Sequence, residues 1–274
     1  MTHKIWFIWQ GFIGWNMADD FEERWFEIVR YSLDEKYKWN LEQLKTCDIV
    51  FVAVPTPTKN RKFDSSILDE AIKNTTPWQK IVIKSTIIPW TTDRLQEQYK
   101  DRYFFHSAEF LMEKSAKQNV SSPSRNIVGY TEQSKPYAQE LMNILPKSIE
   151  IICTAKESEL WKYFCNFLLT SKVLMANLVY DICQRDWINY KVIKYIAETD
   201  TRIWPSHLNI SDDWWRWAWW HCFPKDVATL REYYAYKSYV WDNLFWALEE
   251  YNIKLLTNSW KNLEITKEVY GIKN

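Results

Sequence analysis

The sequence predicts an α/β chain, with a parallel-sheet domain over residues 1–153 followed by an all-helical domain over residues 154–274. Three observations carry this. Short apolar runs bounded by turn residues recur through the first half, including 27–32, 48–54, 81–88, 125–129 and 149–153. The first run, Lys4-Ile5-Trp6-Phe7-Ile8, leads through a turn holding Gly11 and Gly14 into the helical Asn16-Met17-Ala18-Asp19-Asp20-Phe21. After Thr154 the pattern changes to long helices, with Glu157 to Cys183 one run of near-continuous apolar spacing, too apolar for a surface helix.

Composition contributes a separate anomaly. A chain of 274 residues at average usage holds about 19 glycines, and this one has 4 beside 18 tryptophans. The tryptophans also occupy glycine contexts. Trp78 lies in Thr-Pro-Trp-Gln-Lys, Trp90 follows Pro89, Trp187 separates two helical runs, and Trp260 lies in Asn-Ser-Trp-Lys-Asn. Such turn and C-cap positions favour φ > 0, which glycine alone adopts without a Cβ penalty. The sequence therefore reads as a gene whose UGA codons mean glycine, translated as tryptophan; the alternative is a genuinely tryptophan-rich or deliberately substituted protein. Trp39, Trp161 and Trp246 are the least glycine-like of the set, the last two falling within helical patterns.

With glycine in place of Trp9, the first turn completes Gly-x-Gly-x-x-Gly with Gly11 and Gly14. In that arrangement the glycines permit a tight turn, backbone approach to a pyrophosphate, and helix-on-strand packing. The phosphate sits on free N–H groups at the helix start. Trp9, Gly11, Phe12, Ile13 and Gly14 are thus candidate cofactor residues. Asp34, 20 residues after Gly14, stands where an acid holds the adenosine ribose. Arg30 shares the preceding strand, so the choice between NAD and NADP stays open, with NAD expected.

Two further strands end in Pro/Thr loops, at Val54-Pro55-Thr56-Pro57-Thr58 and at Lys84-Ser85-Thr86-Ile87-Ile88-Pro89. Loops at the carboxyl edge of a parallel sheet are where ligands bind in such folds, and Val54, Pro55, Thr56 and Thr86 are candidates. Ser107-Ala108-Glu109-Phe110-Leu111-Met112-Glu113 spaces two carboxylates four apart, on one face if helical. Lys162 and Asn166, also four apart, are polar exceptions on the apolar helix, and Lys172 is a weaker one. Finally, Trp214 to Trp220 places five tryptophans in seven residues before His221-Cys222-Phe223-Pro224-Lys225-Asp226. Read with glycines, this is a flexible loop delivering a nucleophilic thiol.

Together these segments resemble the UDP-glucose/GDP-mannose dehydrogenase family, over its dinucleotide domain and central helical dimerisation domain. Ala108 stands where the family has proline, and Ser32 where it places its strand-end acid. The family's carboxyl-terminal nucleotide-sugar domain has no counterpart here. The resemblance implies a Rossmann-type parallel sheet followed by an all-α central dimerisation domain, NAD as cofactor, a nucleotide-sugar substrate, and a homodimer through the central helices, with a role in polysaccharide biosynthesis. It also implies roles. Cys222 attacks the aldehyde formed by a first hydride transfer, and a second transfer leaves a thioester. Lys162 and Asn166 stabilise the oxyanion, Thr86 and Asp226 hold a proton-accepting water, and Glu109 or Glu113 activates water for hydrolysis. The alternative is a non-catalytic, dinucleotide-binding relative.

Other classes fare worse. Lys+Arg and Asp+Glu both number 35, so no net field draws nucleic acid or an anionic membrane. No apolar run reaches membrane-spanning length and no signal-peptide core follows Met1, which points to a cytoplasmic chain. Five cysteines without Cys-x-x-Cys or His/Cys clusters point to reduced thiols and no metal. His221 adjoins Cys222, but neighbouring side chains seldom face each other, which disfavours a cysteine hydrolase.

Overall fold

The computed structural model describes residues 3–109, 115–210, 222–235, 237–258 and 263–271. The chain forms two compact units, residues 1–56 with 64–162 and residues 57–63 with 163–274. The division falls inside a helix, and a short inserted segment belongs with the second unit.

The first unit is built on a seven-stranded sheet. Its strands are β1 (Lys4–Ile8), β2 (Glu27–Tyr31), β3 (Ile49–Val52), β6 (Lys80–Ile83), β7 (Tyr103–His106), β8 (Arg125–Tyr130) and β9 (Ile149–Thr154), in the order β2-β1-β3-β6-β7-β8-β9. The first five pair in parallel, β8 runs antiparallel to β7, and β9 returns parallel to β8. The unbroken apolar run of β3 explains its interior place: all four residues are fully buried, as a strand covered on both faces requires.

Helices α1 (Phe12–Glu23), α2 (Ser66–Lys73), α3 (Thr91–Gln98), α4 (Ala116–Ser121) and α5 (Ala138–Ile144) pack around this sheet. On α2 the buried residues are Leu68, Ala71 and Ile72, the i, i+3, i+4 stripe of an amphipathic helix. Phe7 stacks on Phe51 at 5.0 Å and meets Phe21 of α1 edge-on at 5.4 Å. All three are fully buried, each contributing roughly 2–3 kcal/mol by removal from water. Trp6 is also buried, with its indole N–H unpartnered.

Among the described residues of the second unit, the helices are α6 (Ala155–Arg185), whose residues up to Lys162 belong to the first unit, α7 (Tyr190–Thr199), α8 (Cys222–Tyr233), α9 (Tyr239–Asn258) and α10 (Leu263–Tyr270). Leu174 of α6, Ala228 of α8 and Leu255 and Leu256 of α9 share its core with Val269. A hairpin of β4 (Thr58–Lys59) and β5 (Lys62–Phe63) turns through Asn60 and Arg61, with φ of 49° and 64°. Two left-handed residues are the signature of a type I′ turn. The hairpin is anchored by Thr58 Oγ1 on Thr229 Oγ1 at 2.6 Å and by Arg61 Nε donating to the buried Glu249 at 2.9 Å. Its short, polar strands carry no alternation, so nothing in the sequence announced it.

One expectation is corrected here. The apolar helix α6 is not enclosed, since Phe164, Leu168 and Met175 are each 48% exposed and Leu178, Val179 and Ile182 are also exposed. One side of the helix packs on α8 and α9, and the other is exposed among the described residues. No helix among the described residues is long and apolar enough to cross a membrane.

Candidate functional site

The cofactor candidates converge because parallel strands end at the same edge of the sheet. Trp9 to Gly14 follow β1, Asp34 follows β2, Val54 to Thr56 follow β3, Thr86 follows β6 and Glu109 follows β7. The loops are tied to one another. Trp9 N donates to Tyr31 O at 2.7 Å, Ser85 Oγ to Val54 O at 2.6 Å, and Thr56 Oγ1 to Thr86 O at 2.7 Å.

The turn into α1 suits an anion. Gly11 caps α1 without a side-chain bond, and no acidic residue lies in the first turn, so the positive end of the helix dipole is available to a phosphate. Gly14 is required there: a Cβ would fall 2.0 Å from the Trp9 carbonyl oxygen. These features fit a dinucleotide. Trp9 does not. Its φ is 73°, which costs an L-residue about 1–2 kcal/mol, and its indole lies against Gly11, 2.8 Å from where a Cβ would stand.

Asp34 is exposed in the turn after β2, where its carboxylate accepts from Ser32 Oγ at 2.8 Å. Arg30 faces α1 and is engaged with Asp19 and Glu22, both at 2.7 Å.

Glu109 lies outside any helix, so the shared helical face expected for it and Glu113 does not hold at its first member; Glu113 lies outside the described residues. Glu109 instead meets Lys84, whose Nζ sits 2.5 Å from Oε1 and 3.1 Å from Ser107 Oγ. The Lys162 ammonium donates to the Glu109 carbonyl at 2.7 Å. A cavity of about 490 Å³ opens beside Lys84, Ser107 and Glu109.

Sequence reasoning missed three buried residues here. Lys84 stands at the end of a strand, with nothing in the sequence to set it apart. His106, fully buried, contacts Ser158 Oγ at 2.8 Å and Ser85 O at 3.3 Å, and burial lowers its pKa to about 3. Glu159 caps α3, accepting from Trp90 N at 2.7 Å, Thr92 N at 2.8 Å and Thr92 Oγ1 at 2.7 Å. Burial raises its pKa to about 7, against the opposing pull of those hydrogen bonds. A carboxylate on an apolar helix was the available signal for Glu159. For His106 there was none.

In the second unit, Asn166 Nδ2 donates to Asp226 Oδ2 at 2.5 Å, joining α6 to α8. Asp226 is 1% exposed and its other oxygen meets Lys225 Nζ at 2.5 Å. Cys222 is exposed as the first residue of α8, one turn before Asp226. The thiol thus starts a helix; the tryptophan cluster and His221 before it lie outside the described residues, as does Trp260. Lys162 and Asn166 share a face of α6 by their spacing. Lys172 donates to the Trp204 carbonyl at 2.5 Å and so has a structural use. The five cysteines form no disulfide, and no cluster able to hold a metal occurs among the described residues.

Comparison with known proteins agrees with this geometry. The profile of the UDP-glucose/GDP-mannose dehydrogenase family, NAD binding domain, matches residues 4–146, and that of the family's central domain matches residues 156–254. A UDP-glucose 6-dehydrogenase of Rickettsia conorii is 28% identical over 225 residues, 74% of this chain and 51% of that one. The chain spans about half the length of the curated relatives it matches. Among solved structures, the UDP-D-ManNAc dehydrogenase of Pyrococcus horikoshii superposes with a TM-score of 0.80 at 19% identity, covering 93% of this chain and 69% of that one. The 3-hydroxyisobutyrate dehydrogenase of Mycobacterium tuberculosis gives 0.72 at 11% identity, covering 94% and 99%. At these identities both show the fold alone. With profiles matching in order across most of its length, the chain belongs to the UDP-glucose/GDP-mannose dehydrogenase family.

Proposed function

We propose that this chain carries the dinucleotide-binding and central parts of an NAD-dependent dehydrogenase that oxidises the C6 alcohol of a nucleotide sugar to a carboxylate. Residues 1–153 form the NAD-binding part and 154–274 the helical part with the cysteine. The observation that carries the reading is the Asn166–Asp226 hydrogen bond at 2.5 Å, one turn along α8 from the exposed Cys222. A buried carboxylate and amide held beside a thiol-bearing helix start go beyond what cofactor binding needs.

Bound NAD supplies the acceptor for two hydrides, one in each oxidation. Asp226 holds the water that takes the alcohol proton in the first. The Cys222 thiolate then adds to the aldehyde carbon, forming a thiohemiacetal; a thiolate is intrinsically nucleophilic and divides one hard oxidation into two easier ones. The second hydride loss leaves a thioester on Cys222. Lys162 and Asn166 donate to the developing oxyanion, an effect worth about 3 kcal/mol per donor. Glu109 or Glu113 takes a proton from the water that cleaves the thioester, releasing carboxylate and thiol. Gly11 and Gly14 admit the pyrophosphate, with Asp34 toward the ribose.

The exposed apolar face of α6 supports a homodimer through the central helices, which light scattering on the purified protein tests. The stoichiometry of NADH formed from UDP-glucose tests the reaction. We expect two NADH per sugar, and no carboxylate from Cys222→Ala. If NAD binds but neither UDP-glucose nor GDP-mannose yields NADH, the chain is instead a dinucleotide-binding, dimerising relative without turnover.

A further inference from the structure

Five tryptophans hold left-handed backbone: Trp9, Trp25, Trp78, Trp90 and Trp187, with φ of 73°, 66°, 69°, 74° and 57°. Among the described residues the other non-glycine positions of this kind are Asn60, Arg61 and His207. A bulky side chain with φ > 0 is a genuine outlier, because Cβ meets the carbonyl oxygen. The chain places its bulkiest residue there repeatedly.

The hydrogen bonds around these positions define glycine sites by type. After α1, Phe26 N donates to Phe21 O at 3.1 Å and Trp25 N to Glu22 O at 3.0 Å. This is the doubly bonded helix end whose left-handed residue is usually glycine, and Trp25 fills it. After α6, Ile188 N reaches Cys183 O at 2.8 Å across Trp187 in the same way. At Pro89-Trp90, Thr91 N donates to Ile88 O at 3.2 Å and Trp90 has φ 74° and ψ 1°. That is a type II turn with proline second and a glycine position third. Trp78 follows Pro77 with the same sign of φ.

The indoles gain little in return. Trp25, Trp78, Trp90 and Trp187 are 92%, 74%, 55% and 96% exposed. Neither burial nor backbone fit accounts for tryptophan at these positions. Trp6, Trp39, Trp241 and Trp246 differ, since none of them has positive φ.

We infer that the polypeptide made in the source organism carries glycine at positions 9, 25, 78, 90 and 187, its UGA codons being read as glycine. At position 9 the change removes the indole that lies against Gly11, the residue capping α1. The inference deepens the proposed cofactor site, and only its last readout depends on that site.

The coding DNA and the peptide masses of the protein isolated from its own cells test it directly. UGA at the five codons with glycine-mass peptides is expected. UGG codons, or peptides at tryptophan mass, overturn it. A recombinant comparison is independent of the gene. The variant Trp9→Gly, Trp25→Gly, Trp78→Gly, Trp90→Gly and Trp187→Gly should melt at least about 10 °C above the chain as written, relief at five strained positions in a protein of this size. The control Trp241→Gly and Trp246→Gly, within α9, should melt no higher than the chain as written. An unchanged or lower melting point for the five-site variant overturns the inference. Calorimetric titration with NAD then reads position 9: Trp9→Gly should bind at least about tenfold tighter than the chain as written. If the melting point rises and affinity does not, the cofactor reading of this loop fails while the codon assignment stands.

Discussion

The Lys84 ammonium lies 2.5 Å from Glu109 Oε1, and its side chain is 3% exposed while that of Glu109 is 20% exposed. The pair links the end of β6 to the end of β7, beside the Lys162 ammonium on the Glu109 carbonyl. Removing one partner leaves a charge without compensation in a poorly solvated place, which is costlier than the pair is stabilising. Lys84→Met should therefore destabilise the protein by about 2–3 kcal/mol, less than a fully enclosed pair because Glu109 keeps some solvent. The double variant Lys84→Met with Glu109→Gln should recover much of that. Urea unfolding of the four proteins of this cycle measures it; a single variant as stable as the parent would show the contact carries no weight.

Glu159 supplies a pH dependence. Its folded pKa, raised by burial to about 7, lies above its ordinary value of 4.5. Between those values the folded state holds a proton that the unfolded state has released. Its contribution to stability is therefore fully present below about pH 4.5 and is lost as pH rises through about 7, by about 3 kcal/mol in all. The stability difference between the parent and Glu159→Gln should fall by that order between pH 5 and pH 8, measured by denaturant unfolding. A flat difference would mean that the three hydrogen bonds from Trp90 and Thr92 keep the carboxylate charged throughout.

The Asn166–Asp226 contact separates structure from chemistry. Asp226→Asn keeps the size of a buried side chain, whereas Asp226→Ala strands Asn166 Nδ2 and Lys225 Nζ. The alanine variant should lose about 1–3 kcal/mol of stability and the asparagine variant less. Both should lose turnover, and Asn166→Ala should lower kcat by about 10²–10³ if Asn166 donates to the oxyanion. Parallel melting curves and steady-state kinetics decide this. Full activity in Asp226→Asn would remove that residue from the mechanism.

Gly14→Ala tests the first turn. The added Cβ would meet the Trp9 carbonyl oxygen, a backbone atom with no room to yield, so α1 must move off the end of β1. Stability should fall by about 1–3 kcal/mol, the cost of overpacking. NAD affinity measured by titration should fall with it. Retained affinity would place the cofactor elsewhere.

Much of the architecture was legible in the residues because local pattern and tertiary role coincide. The apolar run Ile49–Val52 became an interior strand, and Gly11 and Gly14 bracket the turn into α1. The left-handed tryptophans at 9, 78, 90 and 187 were legible too, since the glycine spacing of the first turn, proline neighbours and helix ends specify φ within a few residues. Trp25 was not, because α1 passes within three residues into β2, and the helix end shows only once the bonds from Phe26 and Trp25 are drawn.

What the chain alone determined was thus the order of its main strands and helices and its family, both encoded in short-range spacing of apolar and turn residues. Tertiary structure decided the rest. The Asn60–Arg61 hairpin joins the helical unit, Glu159 caps a helix 67 residues distant, and His106 is buried against Ser158. Each depends on partners far apart in sequence, and burial, which sets the pKa of His106 and Glu159, is a property of the packed molecule rather than of neighbours along the chain.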